Sequence, residues 1–198
     1  MPRLVDHDER RREITSAARR VIVRGGLSAA TFQAVAAEAG ISVRLIQYYF
    51  GTKRDFLLAT HKSVIEDGAA RFAARMADFG EDVPPREAVR AIATELLPLD
   101  AARRDDAVVL DEFFAASLTG QDIAIGDMTP AARLLVTVVA GHLQRAGAGH
   151  SAAALDAELT VAALVGLTNS LIAGMIDATA AVRLVERLLD RTPGLAKP

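Results

Sequence analysis

The 198-residue chain contains no cysteine and no tryptophan, and aromatic residues make up only 5% of it. Without a thiol, disulfides, iron–sulfur clusters, thiolate zinc sites and a cysteine nucleophile are all excluded. A disulfide-free chain suits a reducing compartment, and a cytoplasmic location is expected. The four histidines are His7, His61, His142 and His150. No two of them stand at the i, i+4 spacing of a helical metal pair, so neither metal nor cofactor is expected. The opening residues, Met-Pro-Arg-Leu-Val-Asp-His-Asp, lack the apolar run of a signal peptide. Gly-x-Ser-x-Gly, phosphate-loop and GxGxxG patterns are missing too. The acidic pairs Asp105-Asp106 and Asp111-Glu112 read as solvated, because adjacent residues on a helix face different ways. An enzyme is therefore not expected.

Apolar residues are plentiful at 51%, with a mean hydropathy of +0.22, enough for a real core. Charge is unevenly spread. Up to Thr60 there are 10 Lys/Arg against 6 Asp/Glu, and beyond it 13 against 19. A basic front on an acidic body suggests a polyanion-binding module joined to a second part. The stretch from Leu159 to Ile176 carries no charge over 18 residues, the lower limit for a membrane span. It includes Thr160, Thr168, Asn169 and Ser170, and Glu158 and Asp177 bracket it. Polar groups are costly in lipid, so the stretch reads as a buried helix and no membrane partner is expected.

Strand signals are nearly absent, and 3.6-residue periodicity runs almost throughout, so an all-α fold of about nine helices is expected. A first helix spans about Asp8 to Arg24, with Ile14, Ala17, Ala18, Val21 and Ile22 on one stripe and Gly25-Gly26 as its stop. Thr31 caps a short helix to about Ala39 and Ser42 caps another to about Phe50. Thr52 opens a long helix to about Phe79, with Asp55 completing a capping box. Three short helices, two of them joined by Ala39-Gly40-Ile41-Ser42, describe a helix-turn-helix. Further helices are expected at about Arg86 to Leu97, Asp100 to Leu118, Ala131 to Arg145, Leu155 to Ile176 (capped by Ser151) and Ala180 to Arg191. Gly120 to Pro130 reads as an interrupted region, and Pro193, Gly194 and Pro198 mark a frayed tail.

The run Thr31-Phe-Gln-Ala-Val-Ala-Ala-Glu-Ala-Gly-Ile-Ser-Val-Arg-Leu-Ile-Gln-Tyr-Tyr-Phe-Gly-Thr-Lys-Arg-Asp-Phe-Leu58 resembles the DNA-binding motif of TetR-family transcriptional regulators. The segments 96–104 and 113–118 are similar to the carboxy-terminal domain of the BetI-type subgroup. The resemblance implies a helix-turn-helix DNA-binding domain at 9–70, with the motif at about 31–52. A larger helical ligand-binding and dimerisation domain would then occupy 71–198.

On that reading the second helix of the motif enters the major groove. Val43, Arg44 and Gln47 then face thymine methyl, guanine and adenine edges respectively. By similarity to the family, Gln33 reaches a base as well. Thr31, Ser42, Tyr48, Tyr49 and Lys53 suit phosphate oxygens. Arg44 departs from the family, where a small residue is common; it either reads guanine or lies along the phosphates. Tyr49 is either a phosphate contact or a core aromatic. Ile41, Ile46 and Phe50 fill the motif's core, and Arg10, Arg11 and Arg12 form a solvated face.

The family also implies a homodimer through the last two long helices and a double-stranded palindromic operator. The interface is expected over Leu159 to Ile176 and Val182 to Leu189, with Ala162, Gly166, Ser170 and Gly174 as a small-residue stripe beside Val182, Val185 and Leu189. An unidentified small-molecule effector would sit among Phe72, Met76, Leu110, Phe113, Phe114, Met128 and Val138, with Ser117, His142 and Asn169 as polar groups. For each of these residues core packing, or a satisfied buried polar group, is the stronger reading. No aromatic or carboxylate cluster fits a quaternary ammonium, so a choline-type ligand is not carried over. Repression released by the effector is the expected function; an activator of the same fold, or a helical interaction protein without specific DNA binding, stays open.

Overall fold

The computed structural model describes residues 7–78, 83–120 and 122–196. Among them are nine α-helices and no strand: α1 (His7–Gly25), α2 (Phe32–Ala39), α3 (Val43–Phe50), α4 (Lys53–Ala77), α5 (Pro85–Leu96), α6 (Ala101–Thr119), α7 (Ile125–Arg145), α8 (His150–Ile172) and α9 (Ala178–Arg191). A short 3-10 turn, Leu27–Ala29, follows α1. The all-helical expectation holds. The expected end of the fourth helix at Phe79 lies outside the described residues.

The chain divides into two compact units. The first comprises Met1–Glu66 with Val108–Met128, and the second Asp67–Ala107 with Thr129–Pro198. The helix-turn-helix thus shares its core with the end of α6 and the start of α7, which the 9–70 boundary leaves out. Ile14, Ala17, Ala18 and Ile22 of α1 meet Val35 of α2, Ile46 and Phe50 of α3, and Phe56 and Leu57 of α4; Val109, Phe113 and Ile123 complete this core. In the second unit, Val89, Ile92, Ala93 and Leu97 pack with Val139 and Leu143, with Ala153, Ala157 and Leu164, and with Ala181, Val185 and Leu189. Arg86 and Arg90 on α5 both bind Glu186 on α9, at 3.0 and 2.6 Å, and Arg86 also reaches Asp190 at 2.7 Å.

Several sequence-based boundaries shift, each for a local reason. Helix α7 begins at Ile125 and runs through Pro130. Its first turn is held by Asp127, whose carboxylate accepts the Ala124 N–H at 2.8 Å, the reach-back half of a capping box without a hydroxyl at the cap. Helix α8 starts at His150 rather than after Ser151, and its N-cap is Gly149 with no side-chain bond. It ends at Ile172, because Gly174 takes the left-handed conformation (φ 70°) and Met175 N–H bonds Ser170 O at 2.9 Å. Gly174 therefore lies beyond the helix, not in its small-residue stripe. The tail is not frayed as far as Leu195, which is buried. Gly194 permits this: a Cβ there would lie 2.9 Å from Ala146 O.

The acidic pairs on α6 are not simply solvated. Asp106 pairs with Arg71 at 2.9 Å, and Glu112 accepts the Leu27 N–H at 2.7 Å. One member of each pair faces inward because neighbours on a helix point about 100° apart.

Candidate nucleic-acid interface

Helices α2 and α3 are each fixed at both ends. Thr31 Oγ1 accepts the Ala34 N–H at 3.1 Å, and Ser42 Oγ accepts the Leu45 N–H at 3.2 Å. Gly40 closes α2 in the left-handed region (φ 66°), and Gly51 follows α3 with φ 70°. Thr52 and Asp55 form the capping box of α4: the hydroxyl donates to the carboxylate at 2.7 Å and accepts the Asp55 N–H at 3.1 Å. Accepting an N–H leaves the hydroxyl protons of Thr31 and Ser42 available as donors to an anion.

One side of α3 is buried through Ile46 and Phe50, and Ile41 packs partly buried against the same core. Arg44, Gln47 and Tyr48 stand at i, i+3 and i+4 on the opposite side and are exposed, Tyr48 at 71%. Gln33 on α2 is also exposed. The face is thus a short helix presenting a cation, an amide and a phenol, groups that can hydrogen-bond base edges and phosphates. Val43 is half-buried against the core, so only part of it remains outside.

Of its two expected roles, Tyr49 shows that of a core aromatic. It packs partly buried against the core, and its ring lies 4.6 Å from that of His7 and 5.4 Å from that of Tyr48. Arg11 is not part of a merely solvated basic face. Its guanidinium donates to the Tyr49 carbonyl and lies 4.4 Å from the centre of the Phe50 ring. A cation at the carboxy-terminal end of α3 satisfies an otherwise orphaned carbonyl and meets the negative end of the helix dipole. Glu38 of α2 ties that helix to α1 by ion pairs, binding Arg20 at 2.6 Å and also Arg24. Those two hydrogen bonds, that from Arg20 first, hold its carboxyl below the usual range. None of His7, Arg11 or Glu38 could be singled out from sequence, since no local pattern names the partner of an arginine across a helix pair.

Lys53, the first residue of α4, does not stand alone. Its ammonium lies 2.8 Å from Asp122, and its neighbour Arg54 binds Asp127 at 2.7 Å. Further along α4, His61 is half-buried with its ring 5.2 Å from that of Phe113. Burial pushes its pKa below the ordinary 6.5, while Asp127 pulls it partly back. The folded unit therefore takes up a proton less readily than the unfolded chain. Its stability is complete above about pH 6.5 and falls as the pH drops below that value. Replacing His61 with leucine should flatten this dependence. Urea midpoints at pH 7.5 and 5.5 measure it, and an unchanged slope in the variant would assign the effect elsewhere.

The expected effector-site residues fall into two sets. Leu110, Phe113, Phe114, Ser117 and Met128 belong to the first unit, and Phe72, Met76, Val138, His142 and Asn169 to the second. Phe113 is fully buried core, Ser117 donates to the Phe114 carbonyl at 2.7 Å, and Phe114 and Asn169 are exposed. His142 is half-buried beside Arg145, and burial followed by that charge lowers its pKa. Of the expected interface residues, Ala162, Gly166 and Val182 are exposed and Ser170 is half-buried. Val185 and Leu189 instead point into the core of their own unit, so they offer nothing to a partner.

Helix α8 is long and apolar enough to cross a membrane by length and composition alone. Only one side of it is buried, through Ala153, Ala157, Thr160, Val161 and Leu164. Leu155 and Leu159 are 68% and 65% exposed, with Val165 beside them, so the expectation of a buried helix holds for one side only.

Residues 14–60 match the family model of bacterial regulatory proteins, tetR family. The chain is 34% identical over 99 residues to the HTH-type transcriptional regulator PksA of Bacillus subtilis, covering 50% of this chain and 46% of that protein. It is 36% identical over 95 residues to the HTH-type transcriptional regulator BetI of Burkholderia thailandensis, covering 46% of each. The chain thus spans about half the length of the curated relatives it matches. A crystal structure of a transcriptional regulator from Rhodococcus superimposes with a TM-score of 0.80 at 23% identity, over 92% of this chain and 95% of that one, a likeness of fold.

Proposed function

We propose, from the match of residues 14–60 to the tetR family of bacterial regulatory proteins, that the chain is a cytoplasmic, homodimeric repressor that leaves a palindromic operator when a small molecule binds its carboxy-terminal domain. The observation that carries the DNA-reading part is the capped α3 with Arg44, Gln47 and Tyr48 exposed on one side while Ile46 and Phe50 anchor the other. Arg44 and Gln47 take base edges, with Gln33 and the outer part of Val43 beside them. Thr31, Ser42, Tyr48, Tyr49 and Lys53 take phosphates. Two such heads match two half-sites one helical turn apart.

The apolar outer side of α8 supports the dimer: Leu155, Leu159 and Val165 flank Ala162 and Gly166, whose small side chains allow a partner helix to come close. Release requires that the effector bind better to the conformation whose two heads are wrongly spaced. The effector is drawn from no named class, since the residues expected to line its site include ordinary core positions such as Phe113.

Fluorescence anisotropy on the DNA upstream of the protein's own gene, against a scrambled duplex, tests the reading. Specific binding should exceed binding to the scramble by about 10³-fold or more. Equal, weak, salt-sensitive binding to every duplex would leave only the electrostatic contribution and overturn the regulator reading. Transcription by RNA polymerase from the bound fragment should fall when the protein is added; a rise would make it an activator. Arg44→Ala should cost about 1–3 kcal/mol at one base position and relax the preference there. Equal weakening on all sequences would place Arg44 on the phosphates instead.

A further inference from the structure

The geometry points to Asp122 as a residue that sets DNA affinity by holding the Lys53 ammonium away from phosphate. The inference rests on the reading of Lys53 as a phosphate contact. Lys53 opens α4 one turn beyond the recognition helix, and its Nζ lies 2.8 Å from the Asp122 carboxylate. The next residue repeats the arrangement: Arg54 bonds both oxygens of Asp127, at 2.9 and 2.7 Å. Two successive cations at the start of α4 are therefore matched to two carboxylates close in sequence, Asp122 in the connection between α6 and α7 and Asp127 in the first turn of α7.

The stretch 122–127 is tied down apart from these pairs. Ile123 is buried in the core of the same unit, and Asp127 also accepts the Ala124 N–H. The carboxylates are thus presented in place and do not merely drift past. Lys53 and Asp122 also border a cleft of about 310 Å³, together with Ser28, Glu112 and Thr119. Glu112 is engaged by the Leu27 N–H, which leaves Asp122 as the carboxylate against the ammonium.

Both members of the pair are well exposed, at 43% and 47%. An exposed pair is weak, so a phosphate can displace Asp122, but the exchange subtracts from the gain of binding. The affinity of the DNA-reading face is then set partly by how closely the α6–α7 connection approaches α4. Any event that moves Asp122 toward or away from Lys53 changes that affinity without touching the recognition helix.

A double-mutant cycle on the upstream duplex tests this, with Asp122→Asn, Lys53→Met and the double variant measured by anisotropy at two salt concentrations. Asp111→Asn, an exposed carboxylate of α6 in the same unit, serves as the charge-matched control. Asp122→Asn should tighten binding about two- to fivefold at low salt on specific and scrambled duplexes alike, less at high salt, and should do so only while Lys53 is present. A gain that persists in the Lys53→Met background, or that Asp111→Asn reproduces, would overturn the inference and leave a general field effect. No gain at all would overturn it as well. Lys53→Met should by itself weaken binding uniformly and lower the salt slope by about one unit. If it leaves affinity unchanged, the phosphate role of Lys53 fails first, a result distinct from a failure of Asp122 alone.

Discussion

Leu159→Arg is expected to convert the protein from dimer to monomer at micromolar concentration and to weaken binding to the upstream duplex by about 10²–10⁴-fold, the advantage of delivering the second head intramolecularly. Leu159 lies mid-helix on α8 and is 65% exposed, with Leu155 and Val165 beside it and Val182 and Leu184 exposed on α9. Fully covering a leucine stabilises by about 1.5–3 kcal/mol, and two-fold symmetry counts each residue twice. An arginine there loses that contribution and must also be desolvated without a partner. The fold of the single chain should survive, because the residues that hold α8 to its own unit, Ala153, Ala157 and Leu164, lie on its other side. Sedimentation velocity and anisotropy measured on one preparation decide the matter. A variant that remains dimeric with unchanged affinity would move the interface away from α8. A wild-type monomer that still binds specifically would remove the dimer from the mechanism altogether.

The same helix shows where sequence reading stops. Leucine, valine and alanine occur around much of α8, so periodicity marks a helix but not which side its own chain covers. The buried side became visible only once α5, α7 and α9 were placed against it. Val185 and Leu189 of α9 illustrate the cost: their spacing fits an interface as well as a core, and they turn out to be core. The start of α7 was hidden for another reason. Its cap is built from Asp127 reaching back to Ala124, while Pro130 advertises a break that does not occur. The helix-turn-helix was legible almost residue by residue because its punctuation is local. Thr31, Ser42 and Thr52 each cap a helix within three residues of themselves, and Gly40 and Gly51 close two. What escaped at that site were its long-range partners: Arg11 on the Tyr49 carbonyl, Glu38 between Arg20 and Arg24, Asp122 on Lys53.

Phe56→Ala is expected to destabilise the amino-terminal unit by about 3–5 kcal/mol. Phe56 is fully buried in the first turn of α4, and its ring meets Phe32 of α2 at 5.6 Å and Phe50 of α3 at 5.4 Å, both edge-on. One side chain thus ties together the two helices of the motif and the helix that follows. Its loss removes apolar burial and both edge-to-face pairs, and leaves a cavity that Ile46 and Leu57 can fill only in part. Against a typical domain stability of about 5–15 kcal/mol, this is a large fraction. The chain supplies its own probe. It has no tryptophan, and its two tyrosines, Tyr48 and Tyr49, both lie in α3. Intrinsic fluorescence in urea therefore follows the recognition helix alone, even if the second unit unfolds separately. The tyrosine midpoint should fall by about 1–5 M given the usual urea slopes, and Phe56→Leu should fall less because its cavity is smaller. A midpoint that moves by less than the equivalent of about 0.5 kcal/mol, the range of ordinary surface substitutions, would mean that α3 is held mainly by Ile46 and the Arg11 clamp rather than by the aromatic cluster.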